Sequence, residues 1–273
     1  MMAGFTRYAR VFLTFARNSL VRDMTYRANF LIEAVTSLAW MLMNLGFYLL
    51  VFQYAENIGG WSKHQFLVFM STTIIINSIV QAFFMPNAEE FSELVRGGGL
   101  DFALLKPIDT QFLISLRRIE WSPLTNLIVA GAVAGYSLAR LDYAPTPAVW
   151  LLYPFYVLCG VAILYSLMIT LAAASVWLGR NQSLYDFWFY ITNFSRYPME
   201  IYSGSIGTPL QALFTFVVPV LVVVNVPARL LAKPLDSSQW PLAAWALAAT
   251  AISLALSRWI FTRALWSYRS ASS

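Results

Sequence analysis

Four charged side chains at helical spacing, Glu89, Glu90, Glu93 and Arg96, stand in the longest polar island of this 273-residue sequence, which runs from Met85 to Gln111. Glu89 and Glu93 share a helix face and Arg96 follows three residues on, so the chemistry on offer is ion pairing with a partner surface. Gly97, Gly98 and Gly99 end the helix, because glycine tolerates backbone angles that other residues avoid. Asp101 is placed to cap a following turn that Pro107 stops, with Leu104, Leu105 and Lys106 between them, and Asp109 to cap the next helix through Leu113 and Leu116. The pattern predicts a short docking helix; a solvated loop is the plainer alternative.

A second set lies inside apolar runs. Asn77 and Gln81 are one helical turn apart and face the same neighbour, and Trp40, Asn44 and Phe216 fall at comparable depth in other runs. Few amides among aromatic faces suit an amphipathic or cationic organic molecule better than a hydrated ion. Helix packing is the competing reading for each residue taken singly. Catalytic chemistry finds no support: the lone His64 and the lone Cys159 leave no metal-ligand cluster, no disulfide framework and no nucleophile with its base. An ion-coupled carrier would place carboxylates at the membrane midplane, and the apolar runs hold none.

The elements that must position these residues are membrane spans. With 59% hydrophobic residues, 11% charged and a mean hydropathy of +0.62, the chain is not an ordinary soluble globule. A net charge of +5 is distributed as membrane flanks, so no nucleic-acid role follows. Six runs, 30–53, 65–86, 121–140, 148–178, 205–228 and 240–262, are long enough to cross a hydrocarbon core of about 30 Å. The expected architecture is all-α and a single membrane domain over 1–273, with an interfacial helix at 1–28 and a cytoplasmic loop at 86–120. In the N-terminal helix Arg7, Arg10, Thr14 and Arg17 oppose Phe5, Tyr8, Phe12 and Phe15, a pattern that lays the aromatics into lipid headgroups. Arginines scattered through residues 1 to 27 break any signal-peptide core, so these residues are expected to persist.

Details of the spans carry further expectations. Glu33 is close enough to the cytoplasmic end of the first span to reach headgroups or pair with Arg22 or Arg27. Gly131 and Gly135 with Ala130 and Ala134 make a small-residue packing face. The fourth run is about 46 Å long at about 1.5 Å per residue, so it tilts, protrudes or starts as a separate turn near Pro154. Pro219 should kink the fifth. With the N-terminus inside, 14 of the 18 basic residues fall on the cytoplasmic side, Arg180, Arg196 and Arg269 among them, and Lys63, Arg140, Arg229 and Lys233 fall outside. Both termini are then cytoplasmic, and Arg180 to Gly204 lies along the inner interface without crossing.

Several of these motifs together resemble a known family: six-span permease subunits of second-class ABC-type exporters, in the small bacterial branch that has no attached nucleotide-binding domain. The resemblance rests on the basic N-terminal helix, Gly99-Leu100-Asp101 with Leu104-Leu105-Lys106-Pro107, Arg196-Tyr197-Pro198 with Ile201-Tyr202, and Pro219 with Pro227. It implies a bacterial inner-membrane location and a cytoplasmic ATPase partner that binds ATP and Mg. It further implies pairing with an identical or sister permease. Glu89, Glu90, Glu93, Arg96, Gly99, Asp101, Lys106 and Pro107 would then lie at the ATPase contact. Some members are linked to export of viologens and other organic cations. The chain has no phosphate loop, since Gly97 to Gly99 lead into Leu100 and Asp101 with Lys106 out of place, so ATP hydrolysis is expected elsewhere.

Overall fold

The computed structural model describes residues 2–178, 182–234 and 239–268. Helices α1 (Met2–Thr25) and α2 (Arg27–Val51) lead into a hairpin, β1 (Asn57–Ile58) with β2 (Trp61–Ser62). Gly59 and Gly60 turn the hairpin at φ of 58° and 75°, angles that a side chain would oppose. Helix α3 (Lys63–Phe83) starts with a capping box, in which the Ser62 N–H donates to Gln65 Oε1 at 3.1 Å. The polar island follows as α4 (Met85–Arg96), α5 (Gly99–Leu104) and α6 (Thr110–Leu116).

Helix α7 (Asn126–Leu138) is entered through a single 3-10 turn at Ser122–Thr125, where Pro123 suits the first turn. The third apolar run therefore yields an α-helix of only about 20 Å. Helix α8 (Pro147–Leu178) is continuous through Pro154, because a proline so near the start removes few hydrogen bonds. Then come α9 (Gln182–Asn193), two 3-10 turns (Phe194–Arg196 and Met199–Ile201), α10 (Gly204–Ala212) with a π-helical end at Leu213–Val217, α11 (Val220–Ala232) and α12 (Trp240–Ser267). Among the described residues α2, α3, α8 and α12 are each long and apolar enough to cross a membrane.

The fifth run departs from expectation. Residues 204–217 and 220–232 meet at 88° around Pro219, so the run is a bent pair and not a kinked rod. Its two ends return to one place. Glu200, just before α10, pairs with Arg229 near the end of α11 at 2.7 Å, and Lys233 reaches Gly60 O at 3.3 Å. Ile201 and Glu200 lie against Gly59. The stretch expected to lie along the inner interface therefore ends at the hairpin between α2 and α3. Trp188 of α9 meets Leu164 O of α8 on the way. Asn225, fully buried, holds the return: its Oδ1 accepts from Met199 N–H at 2.9 Å while its Nδ2 donates to Leu221 O.

The core forms where α3, α8 and α11 pack together. Phe66, Ile76, Leu164 and Leu221 are almost fully buried there. Helix α11 comes so near α8 that a Cβ on Gly160 would sit 2.7 Å from Val223 O. Gly131 and Gly135, by contrast, touch nothing within this chain, and α7 instead buries Ala130 and Ser137. A second apolar cluster, Phe91, Leu100, Leu113, Ile169 and Phe261, joins the polar island to the lower ends of α8 and α12.

Candidate functional site

Helix α4 is amphipathic: Phe91 is fully buried while Glu89, Glu93 and Arg96 are exposed. Glu90 instead braces the island internally, 3.2 Å from Arg117. The helix ends as expected, with Gly98 at φ 71° and Gly99 so close to Leu94 that a Cβ would lie 2.8 Å from its Cδ2. Asp101 falls inside the first turn of α5, whose cap position is Gly98. The following tip presents Phe102 at 74% exposure and Leu105 at 81% beside Lys106, an apolar patch that spacing of charges did not reveal.

The island is held rigidly. Asn87, almost fully buried, donates to Phe83 O at 2.8 Å and to Arg118 O at 2.6 Å, and accepts from Arg118 N–H at 2.8 Å. Asp109 caps α6 through Phe112 N–H at 2.9 Å and takes a fork of bonds from Arg258 of α12. Arg258 also reaches Gln111 Oε1, and Gln111 donates to Tyr165 Oη of α8. Helix α1 lies beneath: Arg7 donates to Pro107 O, Tyr8 Oη accepts from Asp109 N–H, and Ser19 Oγ accepts from Ile119 N–H. Its aromatic face meets protein, with Tyr8 edge-on to Phe112 and Phe12 stacked on Phe83.

Burial pushes the Asp109 carboxyl up, but the bond from Arg258 and the Phe112 N–H outweigh it and hold it below the usual carboxylate range. A depressed folded value means that the stabilisation exists above the ordinary carboxylate pKa and fades as pH falls through the lowered one. Asp109→Asn is expected to cost about 0.5 to 1 kcal/mol at pH 7, since the Arg258 pair is half exposed and asparagine still caps α6. Thermal unfolding of both proteins in nanodiscs should show a gap of a few degrees at neutral pH that closes below about pH 4.

Above the island lies a cavity of about 330 Å³ between α2, α3, the start of α7 and the Phe194–Arg196 turn. Trp40, Asn44, Asn77 and Gln81 all line it. Phe216 does not: it packs on Trp245, with ring centroids 5.6 Å apart. Asn44 spends its Nδ2 on Trp40 O, and Asn126 donates to Ser37 Oγ at 2.7 Å. Glu33 accepts from Ser122 Oγ at 3.0 Å, and no contact with Arg22 or Arg27 is formed.

The lining also includes Arg196, which flanking charges had assigned to the cytoplasmic side. It sits in the Phe194–Arg196 turn after α9, four residues before Glu200 at the β1–β2 hairpin; Arg180 and Arg269, grouped with it by the flanking charges, lie outside the described residues. Its guanidinium stacks over Phe189 at 5.4 Å, and among the described residues no carboxylate pairs with it. A second cavity of about 350 Å³ continues toward the island, sharing Asn77, Gln81 and Arg196 and adding Glu89 and Glu120. Burial raises the Glu120 carboxyl, which Arg118 opposes from 3.1 Å.

A bundle of long apolar helices with a polar chamber and a rigid charged loop beneath it defines a membrane transport component. A family model for ABC-2 family transporter proteins matches residues 38–272, and the chain belongs to that family. Membership carries a transport role in a membrane and association with an ATP-binding subunit. Comparison with curated proteins and with solved structures gives no match.

Proposed function

We propose that the chain is the permease subunit of an ATP-driven exporter of the bacterial inner membrane and moves an amphipathic organic substrate outward by alternating access. Two permeases, identical or sister chains, stand over two ATPase subunits that bind ATP and Mg. Six crossings serve this reading: α2, α3, the Ser122–Leu138 segment, α8, the stretch from Gln182 to Ile201, and α12. The bent pair α10–α11 dips in from the outer side and returns, with Pro219 as its hinge. Both termini are cytoplasmic. The expectation of a hydrophobic or cationic cargo keeps its apolar half here, since Trp40 and the methionines line the chamber; the sign of the charge is treated below.

The observation that carries the reading is the α4–α5 tip, which exposes Phe102 and Leu105 as well as Glu93, Arg96 and Lys106 and is fastened through Asn87 to the end of α3, which lines the chamber. Closure of the ATPase pair beneath would push this lever and rock α3. Burying a Phe or Leu is worth about 1.5 to 3 kcal/mol, whereas an exposed ion pair is worth about 0 to 1. Phe102→Asp with Leu105→Asp is therefore expected to cut ATPase co-purification at least tenfold. Glu89→Lys with Glu93→Lys should weaken it less but still depress transport. The test is co-purification and ATP-dependent transport at matched expression. Full ATPase recovery in both double variants would sink the docking role of this loop.

A further inference from the structure

The cargo's charge is written into the chamber. Arg196 is the cation lining it, and Asn77 and Gln81 beside it have no protein hydrogen-bond partner among the described residues. The guanidinium lies 5.4 Å from the centre of the Phe189 ring, and among the described residues its N–H donors have no hydrogen-bond acceptor. Those donors match two oxygens of one carboxylate, sulfonate or phosphate, the pairing a planar fork makes best. We propose that the chamber binds organic anions, with the acidic head on Arg196, Asn77 and Gln81 and the apolar body along Trp40, Met41 and Met70.

A cationic head would meet the like charge of Arg196, with no carboxylate lining the chamber to offset it. The carboxylates at the cytoplasmic mouth do not reverse this preference. Glu120 is already paired with Arg118, and Glu89 is exposed to solvent, which screens it over about 8 to 10 Å. They would slow an anion's entry more than they weaken its binding. The proposal rests on the transport reading only for the fate of the ligand; binding itself requires neither ATP nor an ATPase.

The experiment titrates 11-(dansylamino)undecanoate, and a trimethylammonium probe of equal chain length, into phosphatidylcholine nanodiscs holding the full chain. Energy transfer from tryptophan reports binding after subtraction of empty discs. The wild type should bind the anion at least tenfold more tightly than the cation. Arg196→Gln should erase that preference and Arg196→Lys should keep most of it, with gel filtration confirming that each variant is monodisperse. Should Arg196→Gln misfold, Gln81→Leu and the wild type's own selectivity carry the test. Equal or tighter binding of the cation by the wild type, or an unchanged anion preference in monodisperse Arg196→Gln, would overturn the proposal. Adding phosphatidylglycerol separates two sources of the anion: competition identifies a lipid headgroup, and its absence a free amphiphile. Because no ATPase is present, loss of the docking role would leave these results untouched.

Discussion

Gly160→Leu is expected to abolish recovery of a folded permease. A Cβ at this position would stand 2.7 Å from Val223 O, 3.1 Å from Val223 Cγ1 and 3.2 Å from Ile76 Cδ1, so the nearest obstacle is backbone that cannot rotate away. Adding methylenes to a packed core costs about 1 to 3 kcal/mol even where side chains yield, and here α11 itself must move. That movement would strain the Asn225 bond to Met199 and the Glu200–Arg229 pair, which together hold the bent pair closed. Gly131→Leu, where an added Cβ meets nothing in the chain, is the matched control and should be recovered normally. Fluorescence-detected gel filtration of both variants checks this. A monodisperse Gly160→Leu protein with wild-type stability would show that α8 and α11 are not in such close contact.

The second large effect is expected at Asn87. Replacing it with leucine leaves the Arg118 N–H, the Arg118 carbonyl and the Phe83 carbonyl without the side-chain partner that the almost fully buried Asn87 gives them. Each orphaned group costs about 1 to 3 kcal/mol, so the joint penalty is several kcal/mol. The damage is local to the joint between α3 and the segment at 118, so the spans should still insert while the island loses its fixed relation to the chamber. Transport should fall at least a hundredfold with the chain still recovered, and hydrogen exchange at Arg118 should rise by a similar factor. Asn87→Asp keeps the acceptor for Arg118 N–H and should lose less. Wild-type transport in Asn87→Leu would remove this joint from the coupling route.

What the residues disclosed and what they concealed divides along physical lines. The island's glycine stop, the Asp109 cap and the chamber amides were legible because they follow from local backbone rules and helical period. Asn87 was not: a polar residue in a polar stretch reads as solvated, and only packing against the segment at 118 buries it. On the topology proposed above Arg196 changes sides, because the 182–201 stretch is too broken by charge and by 3-10 turns to stand out in the sequence as a crossing, while 205–228 is apolar enough to pass for one. Those two shifts cancel. On that topology the crossing lies before Gly204 and not after it, so Lys233 and everything beyond keep the sides that the basic residues gave them. Phe216 was credited with the depth of a straight helix, and the bend at Pro219 carries it to Trp245 instead.

Helix α1 is bonded to residues about a hundred positions later in the chain, Tyr8 to Asp109 and Ser19 to Ile119. At roughly 5 to 20 residues per second of translation, those partners leave the ribosome about 5 to 20 s after it does. Tyr8 waits out that interval for Phe112 and Phe12 most of it for Phe83, and the headgroup layer is the nearest medium that accepts aromatic rings beside arginines. The amphipathic pattern therefore serves two hosts in succession: lipid while the chain is being made, and the 107–121 loop once it arrives.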